Sequence, residues 1–436
     1  MQKRLLHLNE SQFGQHSQEY ARCLFQIGKI LDYTGQYQAA IDHLNLSLSI
    51  TEKIVGRIHL ESASIINLLA EIWFTLADYL QAEKLYREAL SIREKLLGNR
   101  HPDTAHSMAY LAGLLQSTSK YEQAQSLYSA ALDVMKEHYG NNHPETMTYT
   151  TYLAGIFEEK GDYQESERLF KHVLDLNRTL LNDSDPDLSL SIGYVGWTLA
   201  SKGDFDSAEI FYNEALEIQK IVLGPEHPYT ARTLTYLGDI KLSQGNPISA
   251  DHLYQQSLSI RKSIFGDDHP DTSRTLMSVA WLAELNGQTE IAGQMYQHAL
   301  NVFINTCGSD YPDTGNARNH LGSWYLRHKE DVSTAKQLLE LSLEIHERVL
   351  GSNHPYTLRT IAHHAELLLA TGNIDGAIKK LQFVVTKRDD ILGSKHPDTL
   401  MAKASLSWIT DQTIKNKNSI AWKNFPNPNS LRLAVR

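Results

Sequence analysis

The 436-residue chain predicts an all-α solenoid, a stack of about nine helix-turn-helix repeats, and three observations carry that expectation. A proline recurs every 42 residues, at Pro102, Pro144, Pro186, Pro228, Pro270 and Pro312, then at Pro355 after one extra residue, and at Pro397. Leu60 holds the same place one period before Pro102. A glycine stands four residues before almost every anchor, from Gly56 and Gly98 to Gly351 and Gly393, with Asn182 as the exception. Between anchors, small and large apolar residues return at constant offsets. Such self-similarity marks a repeat architecture, in which no single unit can bury its apolar face alone.

Each period reads as a helix, a short turn, a second helix and a connector. Glycine ends the second helix because it takes left-handed backbone without steric cost; Asn182 is expected to do the same. Proline opens the next helix, where its missing N–H is one that no helical carbonyl would have met. The threonine two residues later (Thr104, Thr146, Thr230, Thr272) falls in that first turn. Ten residues after the anchor comes a small residue, as at Ala70, Ala112, Gly196 and Gly238, and the second helix supplies another, as at Ala82, Ala124, Ala208 and Ala250. Facing small residues let two helices approach closely. The aromatic row Tyr86, Tyr128, Phe170, Tyr212, Tyr254 and Tyr296 reads as core or inter-repeat packing. The one extra residue lies in "RHKEDVSTA" (327–335), read as a lengthened turn. The chain thus divides into an N-terminal capping half-repeat (1–17), nine repeats of 42–43 residues (18–396), a closing helix (397–415) and a flexible basic tail (416–436).

Composition narrows the function. With 42% hydrophobic and 21% charged residues the chain reads as an ordinary soluble protein. A net charge of −10 and no basic stripe argue against nucleic acid as a partner. Two distant cysteines, Cys23 and Cys307, make neither a disulfide framework nor a zinc site and suit a reducing compartment. No window reaches membrane-spanning length and no signal peptide opens the chain, so a cytoplasmic location is expected. The recurrent His59, His101, His143, His227, His269, His354 and His396 form a row, and a row does not converge on a metal. Asp185 and Tyr311 replace the histidine without disturbing the period, as befits a structural connector residue. No phosphate loop, nucleophile elbow or zinc-protease motif is present; neither an enzyme nor a cofactor is expected.

Stretches such as "YLQAEKLYREALSIREKLLGNRHPDTA" (79–105) resemble tetratricopeptide repeats of the 42-residue type found in kinesin light chains, over about residues 16–415. The resemblance implies a right-handed superhelix with a concave groove lined by the first helices. It also implies a non-catalytic scaffold or adaptor that holds an extended segment of another protein. A kinesin light chain would carry a heptad segment before its repeats, and none precedes them here, so the resemblance is to the cargo-binding kind of module alone. A regulatory arm acting on a signalling ATPase of a separate chain is the alternative.

The groove is expected on residues 4, 8, 11 and 15 after each anchor, one face of the first helix. That face is aromatic: Tyr110, Tyr152, Tyr194 and Tyr236 at the second of these places, Trp197, Trp281 and Trp408 at the third. In similar repeat proteins the second place often carries asparagines that hold peptide backbone; here tyrosines stand instead. Arg232, Arg274 and Arg359 add positive charge, with Arg327, His320 and His363 nearby, against Asp239 and Glu366. A protein or peptide partner with acidic and aromatic residues suits such a surface. The tyrosines could equally pack between neighbouring first helices, and the two roles are compatible.

Overall fold

The computed structural model describes residues 14–415 except 34, 35, 77, 119 and 161, together with 425 and 426. The expectation placed on residues 1–13 lies outside them. Among the described residues the chain forms nineteen α-helices and no strand, in nine consecutive pairs and a closing helix. Two compact units result, Met1–Ile156 and Phe157–Arg436. The first holds α1 (Gln18–Tyr33), α2 (Tyr37–Val55), α3 (Leu60–Thr75), α4 (Tyr79–Leu97), α5 (Pro102–Ser117), α6 (Tyr121–Tyr139) and most of α7 (Pro144–Glu159). The second holds α8 (Tyr163–Leu180), α9 (Pro186–Ser201), α10 (Phe205–Val222), α11 (Pro228–Ser243), α12 (Pro247–Phe265), α13 (Pro270–Leu285) and α14 (Thr289–Cys307). It continues with α15 (Pro312–Trp324), a π-helical turn (Tyr325–Lys329), α16 (Val332–Val349), α17 (Pro355–Ala370), α18 (Ile374–Leu392) and α19 (Pro397–Lys415).

The connector explains the recurring histidine. Gly98 ends α4 at φ +82°, and its carbonyl accepts from the Thr104 hydroxyl at 2.9 Å. Between them His101 sits in extended backbone, and its Nδ1 accepts from the Asp103 N–H at 3.1 Å. The imidazole is therefore a helix N-cap, a place usually filled by Ser, Thr, Asp or Asn. His59, His143, His227, His269, His354 and His396 repeat the bond at 3.1–3.2 Å, and Asp185 makes the equivalent one through Oδ1 at 2.9 Å. Tyr311, which offers no such acceptor, leaves α15 without a side-chain cap.

Two details differ from expectation. Asn182 does not take left-handed backbone; α8 stops one residue early, and the Asn182 side chain accepts from the Ser184 N–H at 2.9 Å. Asparagine can close the connector as a turn of its own, so the strained conformation is unnecessary. The extra residue near 330 does not lengthen a loop either. It is absorbed inside the helix as the π turn, after which Glu330 adopts φ 52°. The wider turn keeps Leu326 fully buried and preserves the apolar register of the pair.

Packing follows the small-residue code. Ala82, Ala124, Ala208, Ala250 and Ala292 are fully buried, as are Ala70, Ala112 and Ala280 opposite them. At Gly238 the approach is close: a Cβ there would come 2.5 Å from the Tyr254 ring. The second-helix aromatics Tyr86 to Tyr296 are at most 4% exposed, so they are core. Past the closing helix Phe425, within the segment expected as a flexible tail, is buried against Trp408 at a ring separation of 5.6 Å and joins the core of α17, α18 and α19.

The capping role has a direct test. His227→Ala should cost about 1 kcal/mol in denaturant unfolding, while His227→Asp, which copies Asp185, should cost little. Equal losses would assign the histidine some other role.

Candidate functional site

In the second unit the first helices of four successive repeats, α11, α13, α15 and α17, turn residues at the expected offsets toward one chamber of about 690 Å³. Six of the ten residues singled out from the sequence meet there: Arg232, Tyr236, Arg274, Trp281, His320 and Arg359. The chamber also takes Tyr229, Asp271, Asp313 and Tyr356 from the first turns of those helices, and Arg261 and Phe265 from α12. Its floor near Trp281 and Met277 is continuous with the apolar core beneath.

The other four do not reach this chamber. Tyr194 stacks on Phe170 at 5.2 Å, and Trp197 lies 6.4 Å from the same ring. In the first unit Tyr110 stacks on Tyr86 at 6.0 Å, and Tyr152 packs on Tyr128 at 5.3 Å. Tyr236 on Tyr212 and His320 on Tyr296 follow the same rule, at 5.4 and 5.5 Å. The ladder therefore does bind repeat to repeat. Yet Tyr110, Tyr152 and Tyr236 remain 44%, 43% and 38% exposed, so one edge of each ring is also surface.

The charges are less uniform than the sequence implies. Arg274 is held by Asp313 at 2.7 Å, by Asp271 and by the Tyr311 hydroxyl at 3.1 Å; burial alone would lower its pKa, but those neighbours keep it raised. Arg327 is spent on a buried bidentate pair with Glu366, at 2.7 and 2.6 Å. His320 adds no positive charge, because burial, with Arg359 beside it, pushes its pKa down to about 4. His363 is buried and held well below the usual histidine range for the same reason. Arg261 donates to the Asp271 carbonyl at 2.6 Å. Four arginines face three aspartates, Asp239, Asp271 and Asp313.

The rest of the lining is specific. Arg232 makes no ion pair among the described residues; its guanidinium lies over the Tyr229 ring at 4.8 Å. Arg359 lies over Tyr356 in the same way at 5.4 Å, from the equivalent pair of positions three repeats on. Asn316 lines the chamber with a buried Oδ1 that has no hydrogen-bond partner. Sequence reasoning passed over Asn316, although the signal was present: it interrupts the row that reads Arg232, Arg274 and Arg359 in repeats six, seven and nine.

Tetratricopeptide-repeat profiles match residues 21–54, 314–356 and a continuous overlapping run from 61 to 303. The chain belongs to the tetratricopeptide-repeat family. No curated protein matches the sequence. Among solved structures, this tetratricopeptide-repeat protein is similar to the Rap conjugation gene regulator of plasmid pLS20 in complex with the Phr* peptide. They share 15% identity over 80% of this chain and 95% of that one, at a TM-score of 0.53. The apo form of RapI matches at 15% identity over 65% and 97%, with a TM-score of 0.51. The kinesin light chain nearly identical TPR-like repeats of Podosopora anserina match at 20% identity over 47% and 98%, with a TM-score of 0.39. Among the described residues no helix is long and apolar enough to cross a membrane, and no cluster of three or more His, Cys, Asp or Glu could hold a metal ion.

The first unit of the repeat protein carries a smaller cavity of about 350 Å³, lined by Phe25, Lys29, Asn67, Glu71, Arg93 and Tyr110 among others. Burial raises the Glu71 pKa, Asp32 adds to the rise, and Lys29 opposes it.

Buried neutral histidines make the second unit acid-sensitive. His320 and His346 are pushed down to about 4 by burial, and burial holds His363 well below the usual histidine range. Their unfolded pKa is about 6.5, so as the pH falls the unfolded chain takes up protons first. Stability present above that value should be lost progressively as the pH falls from about 6.5 toward 4. Denaturant melts between neutral pH and pH about 5 should show this slope, and His346→Gln should lower the linked proton number by about one.

Proposed function

We propose that the chain is a non-catalytic cytoplasmic adaptor that holds a segment of a partner protein in the chamber of its second unit. The observation that carries this reading is the convergence of an unpaired arginine, an unpartnered amide oxygen and a tryptophan on one concave face of about 690 Å³. Each answers a different part of a peptide. Arg232, held over a tyrosine ring, offers its guanidinium fork to a carboxylate, and Arg359 over a second ring adds positive charge. Asn316 Oδ1 accepts from a backbone N–H, as peptide-holding asparagines do. Trp281, with Tyr236 beside it, gives an apolar or aromatic side chain somewhere to rest. The volume lies within the range of sites that enclose a ligand of a few residues. Arg274 and His320 shape the wall, the first as a fixed cation and the second as a neutral ring. Tyr110, Tyr152, Tyr194 and Trp197 offer further aromatic edges outside the chamber. The pLS20 Rap regulator, similar in fold, was solved with a peptide, so the architecture is one that accommodates such an occupant.

A display library of random peptides panned on the full chain tests the reading. Enriched sequences should pair acidic residues with an aromatic one, and Arg232→Glu with Arg359→Glu should weaken the best binder at least about tenfold, with the fold intact by circular dichroism. No enrichment, or binders indifferent to the charge reversal, would contradict it.

A further inference from the structure

The second unit touches itself across a long stretch of chain. His396 Nε2 lies 2.9 Å from the Ser201 carbonyl oxygen, 195 residues away. Its Nδ1 meanwhile accepts from the Asp398 N–H, so the neutral ring carries its proton on Nε2 and donates it to Ser201. His354 repeats the contact one repeat earlier: its Nε2 is 3.8 Å from Glu159 Oε2, again 195 positions along. Both histidines are connector caps, and both partners are the last residue of a first helix, α7 and α9. Beside them Gly203, at φ +79°, lies so close to Pro397 that a Cβ would come 3.1 Å from the proline ring. Tyr163 belongs to the same neighbourhood. Its phenol is held above the usual range by burial first, then by Glu158 and Asp398.

The connectors that open α17 and α19 therefore lie along the turns that close α7 and α9, one coil of the second unit against another. The repeats between these two lines of contact supply the chamber walls. The two histidine contacts are polar, and each is modest in strength. A glycine and a proline give the seam a snug edge, with the partly buried Tyr163 beside it.

We propose that this seam is a latch: the second unit parts there, with its helix pairs still folded, to admit a bulky chain to the chamber. The proposal deepens the reading of the chamber as a binding surface and rests on it. Its test needs no partner, so the two can fail separately. The connector histidine also makes a clean variant possible. Asparagine accepts the cap hydrogen bond as Asp185 does, but cannot span the seam.

The probe is a thiol in the chamber, Ser278→Cys, in a Cys307→Ser background that leaves only the buried Cys23. Its alkylation by N-ethylmaleimide reports local exposure, and its alkylation by a bulky poly(ethylene glycol) maleimide reports opening. With His354→Asn and His396→Asn the bulky reagent should react about fivefold faster while the small one is unchanged, and His101→Asn should alter neither rate. Gly203→Asn gives an independent check. Asparagine tolerates the left-handed turn, and its Cβ presses on the Pro397 ring while meeting the His396 ring only at an ordinary contact distance of 3.8 Å. Bulky-reagent rates equal to the parent's in both folded variants would overturn the latch.

Discussion

The N-cap in the connector is the interaction on which the rest of the structure depends. A side-chain acceptor receives the N–H two residues ahead, a hydroxyl ties the preceding glycine carbonyl, and a proline fixes the first helical φ. Together these set the direction in which most first helices leave their connectors; α15, uncapped at Tyr311, keeps the proline and the Thr314 hydroxyl bond to Gly308. Because the direction is the same each time, residues at one offset fall on one face in every repeat, and a row in sequence becomes a wall in space. Histidine suits the place because its two nitrogens do different work. Nδ1 serves the helix, and at His396 Nε2 reaches a second element. Asp185 satisfies the helix alone.

Charge in the second unit is largely settled internally. Arg327 pairs with Glu366, His328 approaches Glu284 at 3.0 Å, and Arg274 bridges two aspartates. Breaking the Arg327–Glu366 pair would leave a buried charge unsatisfied, a costly outcome. These networks hold the walls in place, and for that reason they are poor candidates for contact with a partner. Arg232 stands apart, with a ring beneath it and no ion pair among the described residues. The distinction between spent and available charge separates scaffold from site.

Much of this was legible in the sequence. The 42-residue period placed the helix boundaries, and the offsets of 4, 8 and 11 named the face that lines the chamber. What the sequence hid depends on partners distant along the chain. That Arg327 is consumed by Glu366 and that burial silences His320 follow from neighbours 39 and 39 positions away, Glu366 and Arg359. The π turn was hidden because an extra residue looks the same in a loop and in a helix until packing on Leu326 decides. Asn182 was misjudged because asparagine has two ways to close a turn, and propensity alone does not choose between them. The seam could not be read at all, since its register of 195 residues is not a multiple of the repeat.

The account stands most directly on the inward face of α13. A photo-crosslinking phenylalanine analogue at Ser278, on the chamber wall, and at Ile248, which is 84% exposed on α12, would locate the occupant. A peptide selected on the full chain should crosslink from Ser278 and not from Ile248, and the Ser278 adduct should vanish with Arg232→Glu. Crosslinking from Ile248 alone would place recognition on another surface and contradict the account.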